Sequence, residues 1–149
     1  MPDSRLSRTV RPEELSKKER YRLVTSLVIP RPIGWISTVS SEGVANLAPY
    51  SFFNALSASP PMVGVSIGSR RGDPKDTLRN IRDTSVFAVN LCSEELLEAM
   101  NATSGEFEPS VDEFEVAGLT AQAGEATAAP VVGEAKAVLE CELFKEVEL

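Results

Sequence analysis

The sequence predicts a mostly β domain, a closed or split antiparallel barrel with a few short helices, and three observations carry that expectation. Six or so short strand-like stretches are separated by turn residues, against three short stretches of helical patterning. No GxGxxG fingerprint occurs in the 149 residues, which argues against a parallel, doubly wound dinucleotide fold. The stretch 135–149 alternates Ala137, Leu139, Cys141 and Leu143 with Val138, Glu140, Glu142 and Phe144, the period of a strand.

Taken in order, Pro12, Glu13 and Glu14 open a helix with proline and acids in its first turn. Tyr21, Leu23, Val24, Leu27 and Val28 supply its apolar residues, and Pro30 and Pro32 end it. Residues 33–40 and 44–50 read as strands around Ser41-Glu42-Gly43, a turn with glycine in a hairpin position. In the next strand, 62–68, Val63, Val65 and Ile67 share one face, while Gly64, Ser66 and Gly68 leave the other nearly bare. A short helix over 73–82 precedes a strand over 85–92, and a second short helix, 94–103, sets Leu96, Leu97 and Met100 on one side. Residues 101–129, rich in Gly, Ala, Ser, Thr and Glu, read as a long surface excursion with a brief strand near 119–121. No repeat or linker interrupts the chain, so residues 1–149 read as one domain, long enough to bury a core.

Composition narrows the function classes. A hydrophobic content of 42% with 25% charged residues is that of a soluble globular protein, and no apolar run approaches the roughly 18 residues of a membrane span. The opening MPDSRLSRTVRPEE lacks an apolar signal core, so a cytoplasmic location is the expectation. Cys92 and Cys141 form no CxxC pair and are expected as two reduced, packed thiols, with no metal site. The net charge of −7 is uneven: residues 1–35 carry +4, residues 36–91 carry +1 and residues 92–149 carry −12. All five basic residues of the middle segment, Arg70, Arg71, Lys75, Arg79 and Arg82, fall in one short stretch. A local basic cluster on an acidic chain suits a small phosphate and not a nucleic-acid backbone; the plain alternative is a solvated helix face with acidic neighbours.

The absence of histidine removes Ser-His and Cys-His triads and imidazole-ligated metals. Glu94-Glu95 and Asp112-Glu113 read as solvated runs, without the burial that a catalytic carboxylate needs. The order of features over 49–81 describes a seat for a flat, phosphorylated ligand: small polar residues, a glycine-relieved strand, a basic loop, then Gly72-Asp73-Pro74 turning into a helix at Lys75-Asp76-Thr77. The first amides and positive dipole end of that helix favour an anion.

Four blocks carry a resemblance. PRPIGWIST at 30–38, NLAPYSFFNALSASPP at 46–61, KDTLRNI at 75–81 and FAVNL at 87–91 resemble, in that order, the flavin reductase-like FMN-binding split-barrel family in its flavoredoxin-like branch. The resemblance implies a homodimeric split antiparallel β-barrel of Greek-key type that binds FMN near the subunit interface. It implies that Ser51, Asn54, Ala55, Leu56 and Ser57 line the ring and ribityl chain, with Trp35 and Thr38 approaching from another side. It assigns Ser69, Arg70, Lys75, Asp76 and Thr77 to the phosphate end, where Lys75 offers charge, Thr77 a hydroxyl and amide, and Asp76 mainly caps the helix. Against these stand plainer roles: serines satisfied by local backbone bonds, Trp35 as core, and Tyr50, Phe52 and Phe53 as core or dimer packing. Arg31, between two prolines, is open between a buried ion-pair partner and a surface charge.

No catalytic side chain is expected, because a flavin ring itself accepts hydride. The resulting expectation is NAD(P)H as hydride donor, FMN as cofactor and an unidentified electron acceptor. Two alternatives remain open at this point: an FMN-holding electron carrier that does not oxidise nicotinamide, and a flavin-free structural or interaction barrel. Family members continue past a segment like LECELFKEVEL into further strands, so the chain reads as a fragment or as a short member completed by its partner subunit.

Overall fold

The computed structural model describes residues 9–70 and 72–148, in two compact units, Met1–Arg31 and Pro32–Leu149. The first unit holds helix α1 (Lys17–Leu27). Pro12–Glu14 forms only a 3-10 turn, and the helix begins after Ser16. The reason is a capping box: Ser16 Oγ accepts from the Glu19 amide at 3.3 Å while the Glu19 carboxylate accepts from the Ser16 amide at 2.9 Å. Two first-turn donors are thereby satisfied, which Arg11, without a side-chain cap bond, does not achieve for the preceding turn. Arg31 is neither a surface charge nor an ion-pair partner among the described residues. Its Nη1 donates to the carbonyls of Thr25 and Val28 at 2.6 and 3.0 Å, satisfying the helix C-terminus.

In the second unit, β1 (Gly34–Val39) pairs with β2 (Ala45–Tyr50) on one side and β7 (Val86–Asn90) on the other, and β10 (Val138–Glu142) completes a sheet of order β10-β7-β1-β2. Three further ladders have two strands each: β3 (Phe53–Ala58) with β4 (Pro61–Val65), β5 (Ser69–Arg70) with β6 (Asp73–Pro74), and β8 (Ala121–Gln122) with β9 (Val131–Val132). Every ladder among the described residues is antiparallel. The helices are α2 (Asp76–Thr84), α3 (Leu97–Ala102) and α4 (Glu113–Ala117). The fold is therefore sheet-dominant with few helices, as expected, but the described residues do not close one hydrogen-bonded barrel. After β2 the chain bends at Ser51 and Phe52, and β3 then pairs with β4 and not with the main sheet.

Strand β1 is buried on both faces, and its period-2 alternation divides the core. Ile36 joins Tyr50, Ile81, Phe87 and Val89 in one cluster; Trp35 joins Leu47, Phe114 and Val132 in the other. Cys141 packs against the first cluster and Cys92 against the second, both as free thiols. Val63, Val65 and Ile67 pack on the first cluster, as their shared face predicts, although the strand ends at Val65. The strand expected over 135–149 is limited to Val138–Glu142, and Phe144 and Val147 beyond it are exposed. Helix α4 lies inside the stretch expected as a surface excursion, and β3 and β9 fall where the sequence suggested no element, because each is short and is stabilised by contacts distant in sequence. Helix α4, for instance, places Phe114 among Trp35, Leu47 and Val132. Among the described residues no helix is long and apolar enough to cross a membrane.

Candidate functional site

Helix α2 is set on the sheet by polar side chains. Asn46 and Tyr50 share a face of β2, two pleats apart, and both reach Thr77 in the first turn of α2: Tyr50 Oη donates to Thr77 Oγ1 at 2.9 Å and Asn46 Nδ2 at 3.0 Å. One turn on, Asn80 Nδ2 donates to Thr38 Oγ1 of β1 at 3.0 Å. Thr77 is 1% exposed, so this hydroxyl is held inside the packing and its backbone amide is what faces the helix start.

The start of α2 has the form expected of an anion seat. Lys75 is the N-cap residue and makes no side-chain cap bond, which leaves the amides of the first turn without a side-chain acceptor. Asp76 is not that cap. It lies in the first turn and pairs with Arg79 at 2.7 Å, because an i, i+3 cation on the same face is closer than the amides behind it. The Lys75 ammonium stands 5.4 Å from the centre of the Tyr50 ring and has no ion pair among the described residues.

The rest of the basic cluster is engaged elsewhere. Arg79 is bound to Asp76 and to the Pro74 carbonyl, and Arg82 to Glu146 near the end of the described chain. Arg70, on β5, donates to the Phe107 carbonyl at 2.5 Å and stands 3.6 Å from Glu106, while Ser69 beside it is exposed. Arg71 lies outside the described residues. Arg79 and Arg82 thus match the plain reading of a helix face with acidic neighbours, whereas Lys75 does not.

The β3–β4 hairpin carries the other group of expected ligand residues. Asn54, Ala55 and Leu56 are exposed; Ser51 and Ser57 are half-buried, and Ser57 Oγ accepts from the Ser59 amide at 3.2 Å. The pairing register shifts between Ala55 and Ser57, which makes Leu56 a bulged residue. Its side chain occupies the space above Gly64: a β-carbon there would lie 2.8 Å from Leu56 Cδ1. The face of β4 expected to be bare at Gly64 is therefore covered, although by a side chain itself 67% exposed; at Gly68 the space is open. Phe53 is a core residue, its ring filling the space above Gly34, whereas Phe52 is exposed.

Trp35 and Thr38, expected to approach a ligand, both lie on β1. Both are 0% exposed, Trp35 with its indole N–H on Thr103 Oγ1 at 2.9 Å, because both faces of β1 are packed. The carboxylate pair Asp112-Glu113 is also not fully solvated. Glu113 is buried at the start of α4, where one oxygen accepts from the Leu47 amide at 3.0 Å. Burial, with Asp76 and Asp112 nearby, raises its pKa above the ordinary carboxylate range against the opposing pull of that amide. Burial likewise pushes the Tyr50 phenol up to about 12, helped by the charges of Glu113 and Asp76, so it stays a protonated donor to Thr77. The residues that sequence reasoning passed over are Asn46, Asn80, Thr103 and Glu113. Asn46 and Tyr50 alternate along β2, and Thr77 and Asn80 are three apart on α2, a signal readable only once the two elements are known to meet.

The description of the flavin reductase like domain matches residues 26–149. A protein of Aquifex aeolicus described as uncharacterized is 48% identical over 128 residues, which cover 85% of this chain and 65% of that protein. Among solved structures, nitrilotriacetate monooxygenase component B from Bacillus cereus superposes with a TM-score of 0.92 at 37% identity, covering 95% of this chain and 70% of that one. The 2-nitrobenzoate 2-nitroreductase NbaA of Pseudomonas fluorescens does so with a TM-score of 0.83 at 30% identity, covering 93% and 66%. The chain spans just under two thirds of the length of the curated relatives it matches.

Proposed function

This chain belongs to the flavin reductase like domain family, and on that premise we propose that it is an FMN-binding oxidoreductase that takes hydride from NAD(P)H and passes electrons to an unidentified acceptor. The observation that carries the reading is the start of α2, where an uncapped first turn and an unpaired Lys75 ammonium lie together. A terminal phosphate meets both needs of such a site, hydrogen-bond acceptors for the amides and negative charge for the dipole and the ammonium. One such seat, with no fingerprint for a second phosphate and adenine, favours FMN over FAD.

In this reading the Lys75 ammonium and the amides of Asp76 and Thr77 hold the phosphate, and Tyr50 and Asn46 keep Thr77 in place through its hydroxyl. Ser69 and Arg70 flank the same end. Ser51, Asn54, Ala55, Leu56 and Ser57 bind and orient the ring and ribityl chain, with Leu56 displaced from above Gly64 to admit the ring and then shielding it from water. The flavin, when bound, supplies the hydride-accepting chemistry, and no side chain of this protein needs to act as acid or base. A homodimer in the cytoplasm is part of the proposal, the exposed Phe52 and Leu56 lying on the face that the second copy covers.

Titration of the purified protein with FMN and riboflavin tests the seat. Lys75→Ala is expected to weaken FMN about tenfold, the loss of one charge-assisted bond offset by water, and to leave riboflavin nearly unchanged. Arg82→Ala, whose guanidinium is held by Glu146, is the charge-matched control. Equal losses for both ligands, or for both variants, overturn the assignment. Anaerobic addition of NADH or NADPH to the FMN-loaded protein is expected to bleach the flavin; bound FMN that stays oxidised overturns the nicotinamide step alone.

A further inference from the structure

One side chain touches both halves of the seat at the start of α2. The Tyr50 hydroxyl donates to Thr77 Oγ1 at 2.9 Å, and the Lys75 ammonium lies 5.4 Å from the centre of the Tyr50 ring. The first contact uses the polar tip of the side chain and the second its π system, so one rigid group serves both at once. Tyr50 is itself fixed: it ends β2 opposite Gly34 of β1 and is 7% exposed within the first core cluster. Lys75 is the mobile member, exposed and on a long flexible stem, and its ammonium has no ion-pair or hydrogen-bond partner among the described residues. The carboxylates whose charges act on Tyr50, Glu113 and Asp76, do not compete for that ammonium, since Glu113 accepts from the Leu47 amide at 3.0 Å and Asp76 is paired with Arg79 at 2.7 Å.

We propose that Tyr50 is the positioning residue that makes this seat prefer a phosphorylated ligand, its ring holding the Lys75 ammonium while its hydroxyl holds the first turn of α2. The inference rests on the FMN reading of the site and adds to it the source of the phosphate preference. An ammonium carries three N–H donors and presents only one side to a ring, so donors remain for a phosphate oxygen. Confining the lysine stem before the ligand arrives removes part of the ordering cost that binding would otherwise carry. Riboflavin has no phosphate to use that ammonium, so the gain belongs to FMN alone. A tyrosine acting only as a core residue would support both ligands equally.

The test measures the affinities of the full chain for FMN and for riboflavin by flavin fluorescence and follows their ratio, which general destabilisation does not move. Tyr50→Phe keeps the ring and Tyr50→Leu removes it, while both lack the hydroxyl. The FMN preference of Tyr50→Leu is expected to be roughly two- to fivefold below that of Tyr50→Phe, the worth of a cation–π contact at an exposed site. In the Lys75→Ala background the two Tyr50 substitutions are expected to give the same ratio, because the ring then has no ammonium to hold. Equal ratios for Tyr50→Phe and Tyr50→Leu with Lys75 present, or a difference that persists without Lys75, overturn the proposal. If Lys75→Ala alone leaves the ratio at the parent value, the phosphate seat falls and this inference with it; if Lys75→Ala lowers the ratio while Tyr50→Phe and Tyr50→Leu agree, only the role of Tyr50 falls. A folding defect in Tyr50→Leu is bypassed on the parent protein: the ε-methylene NMR signals of Lys75 are expected upfield of those of the other lysines, from the ring current of Tyr50, both before and after FMN is added. Signals at the ordinary lysine position overturn the proposal without any substitution.

Discussion

Replacing Thr77 by valine keeps the shape of a fully packed side chain and removes one oxygen, and that oxygen accepts two hydrogen bonds. Tyr50 Oη at 2.9 Å and Asn46 Nδ2 at 3.0 Å both lose their acceptor. The two donors fare differently. Tyr50 is 7% exposed within the first core cluster, and its unpaired hydroxyl carries most of the desolvation cost of a buried donor, about 1–3 kcal/mol. Asn46 is 7% exposed and keeps other ways to orient its amide, so its share is smaller, about 1 kcal/mol. The expected total is about 3 kcal/mol, a fall in melting temperature of roughly 6–12 °C for a chain of this length. Urea denaturation measures it directly. Thr77→Ser, which keeps the oxygen and removes only a methyl group, is expected to lose about 1 kcal/mol. If Thr77→Val costs less than Thr77→Ser, the hydroxyl is not what joins α2 to β2, and the account of how the helix start is positioned fails.

Further expectations rest on other parts of the fold. Gly34→Ala drives a β-carbon to 2.6 Å from the Phe53 ring, inside the packing, and is expected to cost about 1–3 kcal/mol, whereas Gly64→Ala meets the far end of exposed Leu56 and is expected to cost less than 1; thermal melts compare the two. The Glu113 carboxyl is held above its ordinary pKa by burial, so the unfolded chain releases this proton at lower pH than the folded one does. Its contribution is full below the ordinary carboxylate value and is lost as pH rises through the folded one. The stability of Glu113→Gln relative to the parent is therefore expected to improve as pH rises above the ordinary carboxylate value, and a constant difference in denaturation refutes it. Glu140 is the opposite case: the amides of Thr127, Ala126 and Glu125 hold its carboxylate below the ordinary range. That support is present above the unfolded value and disappears as pH falls through the folded one. Amide-exchange protection at residues 125–127 should fall in acid, and Glu140→Ala should reproduce the loss at neutral pH.

Much of the fold was legible where local pattern and tertiary environment agree. The β1–β2 hairpin around Ser41-Glu42-Gly43 carries its own register and turn chemistry, and Gly43 does adopt a positive φ of 87°. Helix α2, with an acid in its first turn and Arg82 in its last, was recognisable in the same way. The α1 start lies five residues later than expected, at Lys17 and not Pro12, because the signals compete, a proline with two acids at Pro12–Glu14 against the Ser16–Glu19 box, and hydrogen-bond reciprocity decided for the box. Strand β9 and helix α4 had no comparable signal, since two valines and a five-residue helix acquire their order only from the core they meet.

The candidate site divides along the same line. From the sequence alone came the family blocks, the basic cluster and the position of Lys75 at a helix start, because residue type, order and spacing are local properties. The Arg79–Asp76 pair is local, three residues apart, but only the tertiary structure decided which other cations are engaged: Arg82 by Glu146 and Arg70 by Phe107 and Glu106, with Lys75 left against the Tyr50 ring. It also enclosed Trp35 and Thr38, whose strand is packed on both faces, and set Leu56 over Gly64. The physical reason is range. Capping, turn formation and periodicity act over a few residues and leave their mark in the sequence, whereas ion pairing, burial and strand order depend on partners 31 to 68 residues away, as between Asn46 and Thr77 or Trp35 and Thr103, which are brought together only when the chain folds.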